Sequence, residues 1–166
     1  MIIAASDETT MKEFKDNFGS SFKIKDLGPL RYFLGINFQL GKDRISLDQS
    51  LYVKTILNKF EANDAVPCSI PCEPGVYELL REPSQPLENP TAYRELIGSL
   101  IYLMTATRPD LAFIVTLLSR FMQKPTRMHL KIGRRVLRYL KATVNYKLTY
   151  VKSKDKLSIV GHSGSD

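Results

Sequence analysis

From its N-terminus the chain opens on a short apolar run, Met1-Ile2-Ile3-Ala4-Ala5, whose branched residues predict a buried strand. Ser6 or Asp7 can cap a helix in which Met11, Phe14 and Phe18 recur at helical spacing, with Gly19 just past its end. Gly28-Pro29 marks a turn. Residues 31–40, rich in aromatic and branched side chains, read as one strand. Gly41-Lys42-Asp43 turns the chain, and residues 44–49 alternate as the returning arm of a β-hairpin.

Leu51, Val53, Ile56, Leu57 and Phe60 then share most of one helical face. The period stops there. Residues 63–90 carry six of the nine prolines, which predicts a long irregular connector, either mobile or wrapped over another surface. Three helices follow. The first spans about 91–106 on a Leu96–Leu100–Leu103 stripe. The second runs from Pro109 to about Met122, and the third runs from a cap at Pro125-Thr126 to about Ala142. Such short connections favour a small bundle. In the tail, Leu148 and Tyr150, then Leu157-Ser158-Ile159-Val160-Gly161, predict a short strand pair. The fold class expected is α+β.

The 166 residues fit one domain or two small ones, and no apolar run approaches the ~18 residues of a membrane span. The N-terminus has no signal-peptide pattern, and two cysteines make no disulfide framework, so an intracellular protein is expected, cytoplasmic or nuclear rather than secreted. Charge is uneven: residues 61–106 hold two Lys/Arg against seven acids, whereas residues 120–156 hold twelve against one. A polyanionic partner is implied, nucleic acid before membrane.

On the last helix Leu130, Gly133, Val136, Leu137 and Leu140 cluster on one side, and Arg127, Lys131, Arg134, Arg135, Arg138 and Lys141 on the other. At about 1.5 Å per residue that cationic edge is on the order of 20 Å long. A merely solvated face mixes both signs; this one has no acid from Arg120 to Lys154. About five phosphate contacts would give a log–log salt slope near −4. His129, alone near a helix start, reads as a cap or packing residue, and Cys68 and Cys72 read as ordinary thiols. Asp7, Glu8, Asp26 and Asp48 stand where turns and caps explain them.

Seven stretches follow one another at ordinary spacing. They are Lys25-Asp26-Leu27-Gly28-Pro29-Leu30-Arg31-Tyr32-Phe33-Leu34-Gly35-Ile36; Ile45-Ser46-Leu47-Asp48-Gln49 with Tyr52-Val53; and Val66-Pro67-Cys68-Ser69-Ile70-Pro71-Cys72. Then come Tyr93-Arg94-Glu95-Leu96-Ile97-Gly98-Ser99-Leu100-Ile101-Tyr102-Leu103 and Thr107-Arg108-Pro109-Asp110-Leu111-Ala112-Phe113. The last two are Ser119-Arg120-Phe121-Met122 with Pro125-Thr126 and His129, and Arg134 with Val136-Leu137-Arg138-Tyr139-Leu140-Lys141. Together they resemble the reverse transcriptase of copia-type retrotransposon Pol polyproteins over essentially the whole chain.

The resemblance implies four parts: 1–49 a palm remnant with a primer-grip-like hairpin, 50–90 a helix and Pro-rich connector, 91–145 a thumb-like helical bundle, and 146–166 a truncated start of the RNase H domain. It gives Tyr32, Phe33 and Gly35 a primer-grip role and makes the cationic helix edge a surface for duplex backbone, RNA–DNA or DNA. The family's Tyr-Val-Asp-Asp would stand immediately before Met1. At the other end Gly161-His162-Ser163-Gly164-Ser165-Asp166 resembles the opening of RNase H. Gly164 replaces its first aspartate there, and Asp166 is a lone leftover acidic position. Two-metal phosphoryl transfer needs converging carboxylates, so no catalytic residue, metal or cofactor is expected in this chain, although the intact parent would need Mg²⁺. Primer-extension and hybrid-degradation assays are expected to read zero. The alternatives are an interaction or dimerisation module, pairing with missing palm and fingers or another chain, and a fossil fragment.

Overall fold

The computed structural model of the chain describes residues 1–152. Its elements are α1 (Glu8–Ser21), β1 (Tyr32–Phe33), β2 (Ile36–Leu40), β3 (Arg44–Asp48) and α2 (Ser50–Lys59). Then come α3 (Val76–Arg81), α4 (Thr91–Ala106), a 3₁₀ turn (Pro109–Leu111), α5 (Ala112–Ser119), α6 (Arg127–Ala142) and β4 (Leu148–Val151). The mixture is α+β, as the hydrophobic pattern predicts. No described helix is long and apolar enough to cross a membrane.

The core lies between helices. Tyr93, Leu96, Ile97, Leu100 and Leu103 of α4 meet Ile114, Val115 and Leu118 of α5, Val136, Leu137 and Leu140 of α6, and Val53 and Ile56 of α2. A Cβ added at Gly133 would stand 3.1 Å from Leu96 Cδ2, so the glycine sets how closely α4 and α6 pack. The Tyr93 hydroxyl, buried in this core, donates to the Leu118 carbonyl at 2.7 Å. Burial raises its pKa above the ordinary tyrosine value.

The strands form one antiparallel sheet in the order β1-β2-β3-β4. Residues 31–40 are therefore not one strand. Leu34 and Gly35 both take positive φ, 47° and 72°, and close a two-residue hairpin between β1 and β2. The Tyr102 hydroxyl on α4 donates to the Leu34 carbonyl, which pins this hairpin tip to the bundle. A Cβ on Gly35 would lie 2.9 Å from that hydroxyl, so a side chain there is strained by the positive φ and must displace the Tyr102 tip. In the tail the described arm, β4, pairs with β3, and the Leu157–Gly161 arm lies outside the described residues.

Register sorts the sheet into two faces. Phe33, Ile36, Phe38, Leu40, Ile45, Leu47, Leu148 and Tyr150 line one; Asn37, Gln39, Ser46, Asp48 and Thr149 line the other. The polar face satisfies itself: Asn37 Nδ2 donates to Asp48 at 3.0 Å, and Ser46 and Thr149 share a hydroxyl hydrogen bond of 2.9 Å. Asp48 is only 2 % exposed. Burial works to raise its pKa, but the Ser50 hydroxyl and amide and the Asn37 amide outweigh it and hold the carboxyl below the usual range. On the apolar face Leu40, Ile45 and Tyr150 stay exposed.

Three further expectations are corrected. Residues 1–5 form no strand and lie mostly exposed, because no neighbouring strand in the described chain supplies their hydrogen bonds. Helix α1 begins at its Asp7 cap, Oδ1 accepting from the Thr10 amide at 2.8 Å, but it runs through Gly19 to Ser21. None of its residues is buried; Phe14 stacks on Phe18, and Phe18 lies tilted against Phe22 of the C-cap. The connector holds a helix, α3, that its proline content concealed.

Candidate nucleic-acid interface

Helix α6 starts at Thr126, whose hydroxyl accepts from the His129 amide while His129 Nδ1 accepts from the Thr126 amide at 2.9 Å. This is a capping box with histidine in the place usually held by Glu or Gln. The imidazole is buried and stacked on Phe121 at 4.0 Å between centroids, and burial lowers its pKa. His129 thus caps and packs.

The connector, not solvent, meets the rest of the helix start. The Arg127 amide donates to the Gln85 carbonyl at 2.9 Å, the Met128 amide to the Ser84 hydroxyl at 3.0 Å, and the Leu87 amide to the Pro125 carbonyl at 2.9 Å. The first amides of a helix are its natural anion site; here they have protein acceptors. Toward the other end the connector returns. Arg138 Nε donates to the Val66 carbonyl at 2.6 Å, Lys141 Nζ to the Ala65 carbonyl at 3.0 Å, and the Cys68 amide to the Arg138 carbonyl at 3.3 Å. Arg135 forms an ion pair with Glu73.

The six predicted cations therefore fall into two sets. Arg127, Lys131 and Arg134 are exposed and recur along one row of the helix, whereas Arg135, Arg138 and Lys141 are half-buried and held by the connector. Arg127, Lys131, Arg134, Arg135 and Arg138 line one side of a groove of about 520 Å³, with Glu73, Leu79 and Leu87 opposite. The hairpin residues are elsewhere: Tyr32 is exposed on β1, Phe33 is half-buried beside it, and Gly35 sits in the turn. None of them lines the groove.

Several residues that shape this region were not singled out from sequence. Glu73 had a signal, since it belongs to the acid-rich stretch that precedes the basic helices. Ala65 and Val66 act through main-chain carbonyls, which leave no mark in a sequence. Arg108 stands in the sequence only as part of the Thr107–Phe113 motif. It is 3 % exposed, pairs with Asp110 at 2.8 Å, donates to the Thr143 carbonyl and hydroxyl, and lies over the rings of Tyr139 and Tyr146. Asp110 also accepts from the Tyr139 hydroxyl at 2.8 Å. Burial raises the Asp110 pKa, but the Arg108 and Tyr139 hydrogen bonds outweigh this and leave it lowered. The cluster ties the start of α5 to the end of α6.

Among the described residues no three His, Cys, Asp or Glu side chains gather where they could hold a metal ion. Asp7 caps α1, Asp26 pairs with Lys15 and accepts from the Gly28 amide, and Asp48 binds Ser50. These acids do not fit the Mg²⁺ of a polymerase centre. Asp166 lies outside the described residues. Cys68 and Cys72 are free and half-buried.

Residues 1–74 match the family described as Reverse transcriptase (RNA-dependent DNA polymerase). The whole chain is 35% identical to part of the retrovirus-related Pol polyprotein from transposon RE1 of Arabidopsis thaliana, spanning 11% of that protein. It is 32% identical to an uncharacterized mitochondrial protein of the same plant and covers 68% of its length. Over 86% of the chain it is 33% identical to the retrovirus-related Pol polyprotein from transposon TNT 1-94 of Nicotiana tabacum, again spanning 11% of that relative. No solved structure matches the chain.

Proposed function

The chain belongs to the copia-type retrotransposon Pol polyproteins, in their reverse-transcriptase portion, and from that premise we propose that it is a non-catalytic, thumb-like module that holds the backbone of a nucleic acid. One observation carries the reading. Arg127, Lys131 and Arg134 stand exposed on one row of α6, and the sequence from 120 to 154 contains no acid. Guanidinium and ammonium groups in such a row neutralise phosphates without reading bases, which suits a polymerase that must accept any template. In the intact polyprotein the module would serve RNA-directed DNA synthesis, the Mg²⁺ being held by parts outside this chain. Tyr32, exposed beside the Leu34-Gly35 tip, offers a ring to a sugar or base edge. Alone, the chain extends no primer and cleaves no hybrid.

The test is binding of a labelled RNA–DNA hybrid by fluorescence anisotropy. Reversing Arg127, Lys131 and Arg134 to Glu abolishes binding regardless of sequence. Undiminished affinity in that variant contradicts the proposal.

A second reading, a dimerisation or partner-docking module, is favoured by α1 with no buried residue and by the exposed Leu40, Ile45 and Tyr150 of the sheet. Light scattering at tens of micromolar decides it: a clean monomer removes self-association.

A further inference from the structure

We propose that the connector is an internal competitor on the phosphate-binding groove of α6, the Glu73 carboxylate standing on Arg135 where a phosphodiester of one nucleic-acid strand would sit. The inference rests on the reading of α6 as a backbone-binding helix and adds the ligand's form and its regulation. The groove's volume of about 520 Å³ lies within the roughly 300–1,000 Å³ of small-ligand pockets. Its five cations share the lining with apolar side chains such as Leu79, Leu87 and Met128, and the cations are the groups that a phosphate would meet.

Three features make the occupant replaceable. Glu73 is 48 % exposed and Arg135 19 %, and a half-exposed pair holds weakly. Glu73 contacts Arg135 through Nη1 alone, and the buried Nε has no hydrogen-bond partner among the described residues. A phosphate with two geminal oxygens can engage Nη1 and Nη2 end-on, where Glu73 engages Nη1 alone, while the buried Nε stays out of its reach. The neighbouring Arg138 and Lys141 each give one donor, Nε and Nζ, to the neutral carbonyls of Val66 and Ala65, acceptors weaker than an ionised phosphate oxygen. An entering strand therefore gains Arg135 first and loosens the connector stretch that holds the other two.

The experiment uses the full chain with a short fluorescein-labelled oligothymidylate. Glu73→Gln tightens binding about two- to fivefold, the worth of a half-exposed ion pair, and steepens the salt slope by about 1, one added phosphate contact. Glu82→Gln removes the same charge elsewhere on the connector and leaves both unchanged. In the unmodified protein the Cys68 amide, bonded to the Arg138 carbonyl, exchanges its hydrogen faster once the oligonucleotide is bound. That readout stands even if the Glu73 variant folds poorly. Equal affinity for the Glu73 variant and the parent, unchanged Cys68 exchange, or tighter binding of a polyglutamate peptide than of the oligonucleotide overturns the competitor role. If Arg127, Lys131 and Arg134 still prove necessary, the backbone-binding reading survives that loss. Absence of all nucleic-acid binding removes both.

Discussion

Gly35 and Tyr102 fix the hairpin tip between them. A side chain at Gly35 would meet positive φ and the Tyr102 hydroxyl together. Gly35→Ala therefore destabilises by about 1–3 kcal/mol, the usual size of enforced backbone strain, as a shift in the urea midpoint. Arg108 is a deeper dependence. Arg108→Met leaves the exposed Asp110 without its cation and the buried Thr143 carbonyl without its donor, and the loss of such charge-assisted hydrogen bonds costs about 1.5–3 kcal/mol in the same measurement. His129 gives a pH signature. Its folded pKa lies below the ordinary 6.5 because burial penalises the imidazolium, so the unfolded chain takes up the proton first. Stability is complete above that ordinary value and is lost as pH falls from it through the lowered folded value. His129→Gln, which can still complete the capping box, flattens the melting temperature over that window. Asp48 and Asp110, whose carboxyls are held below the ordinary 3.8, contribute stability throughout that window and lose it only as pH falls below that value.

Among the elements, α4 and α6 were legible from sequence because each pairs an apolar stripe with a polar remainder. The outer β2–β3 hairpin was legible because alternation flanks a Gly-Lys-Asp turn. The inner hairpin was not: Leu34-Gly35 interrupts an otherwise continuous β-rich run, and only the positive φ of Leu34 reveals the turn. The cationic edge of α6 was readable as a pattern, but its division into an exposed row and a strapped row was not. The strap works through the carbonyls of Val66 and Ala65 and one carboxylate, and a helical wheel contains none of its partners. The connector's irregularity was readable and its α3 was not, since six residues are too few to set a period. The α4–α6 crossing depends on Gly133, with Leu96 Cδ2 3.1 Å from where a Cβ would stand. Gly133→Val overpacks that crossing and costs about 1–3 kcal/mol, as a lowered melting temperature with the fold retained.

For the whole molecule, β4 joins the end of the helical region back to the N-terminal sheet, so regions far apart in sequence share one four-stranded meander. Among the described residues the same assembly leaves Leu40, Ile45 and Tyr150 of the sheet exposed and no residue of α1 buried, while the cationic row of α6 faces solvent. That row is the proposed working surface. The most direct test is the salt dependence of RNA–DNA hybrid binding between low and physiological ionic strength. Three phosphate contacts from Arg127, Lys131 and Arg134 predict a log–log slope near −3, shallower than a fully free six-cation edge would give. A flat titration, or a slope unaltered when those three residues are reversed to Glu, would contradict it.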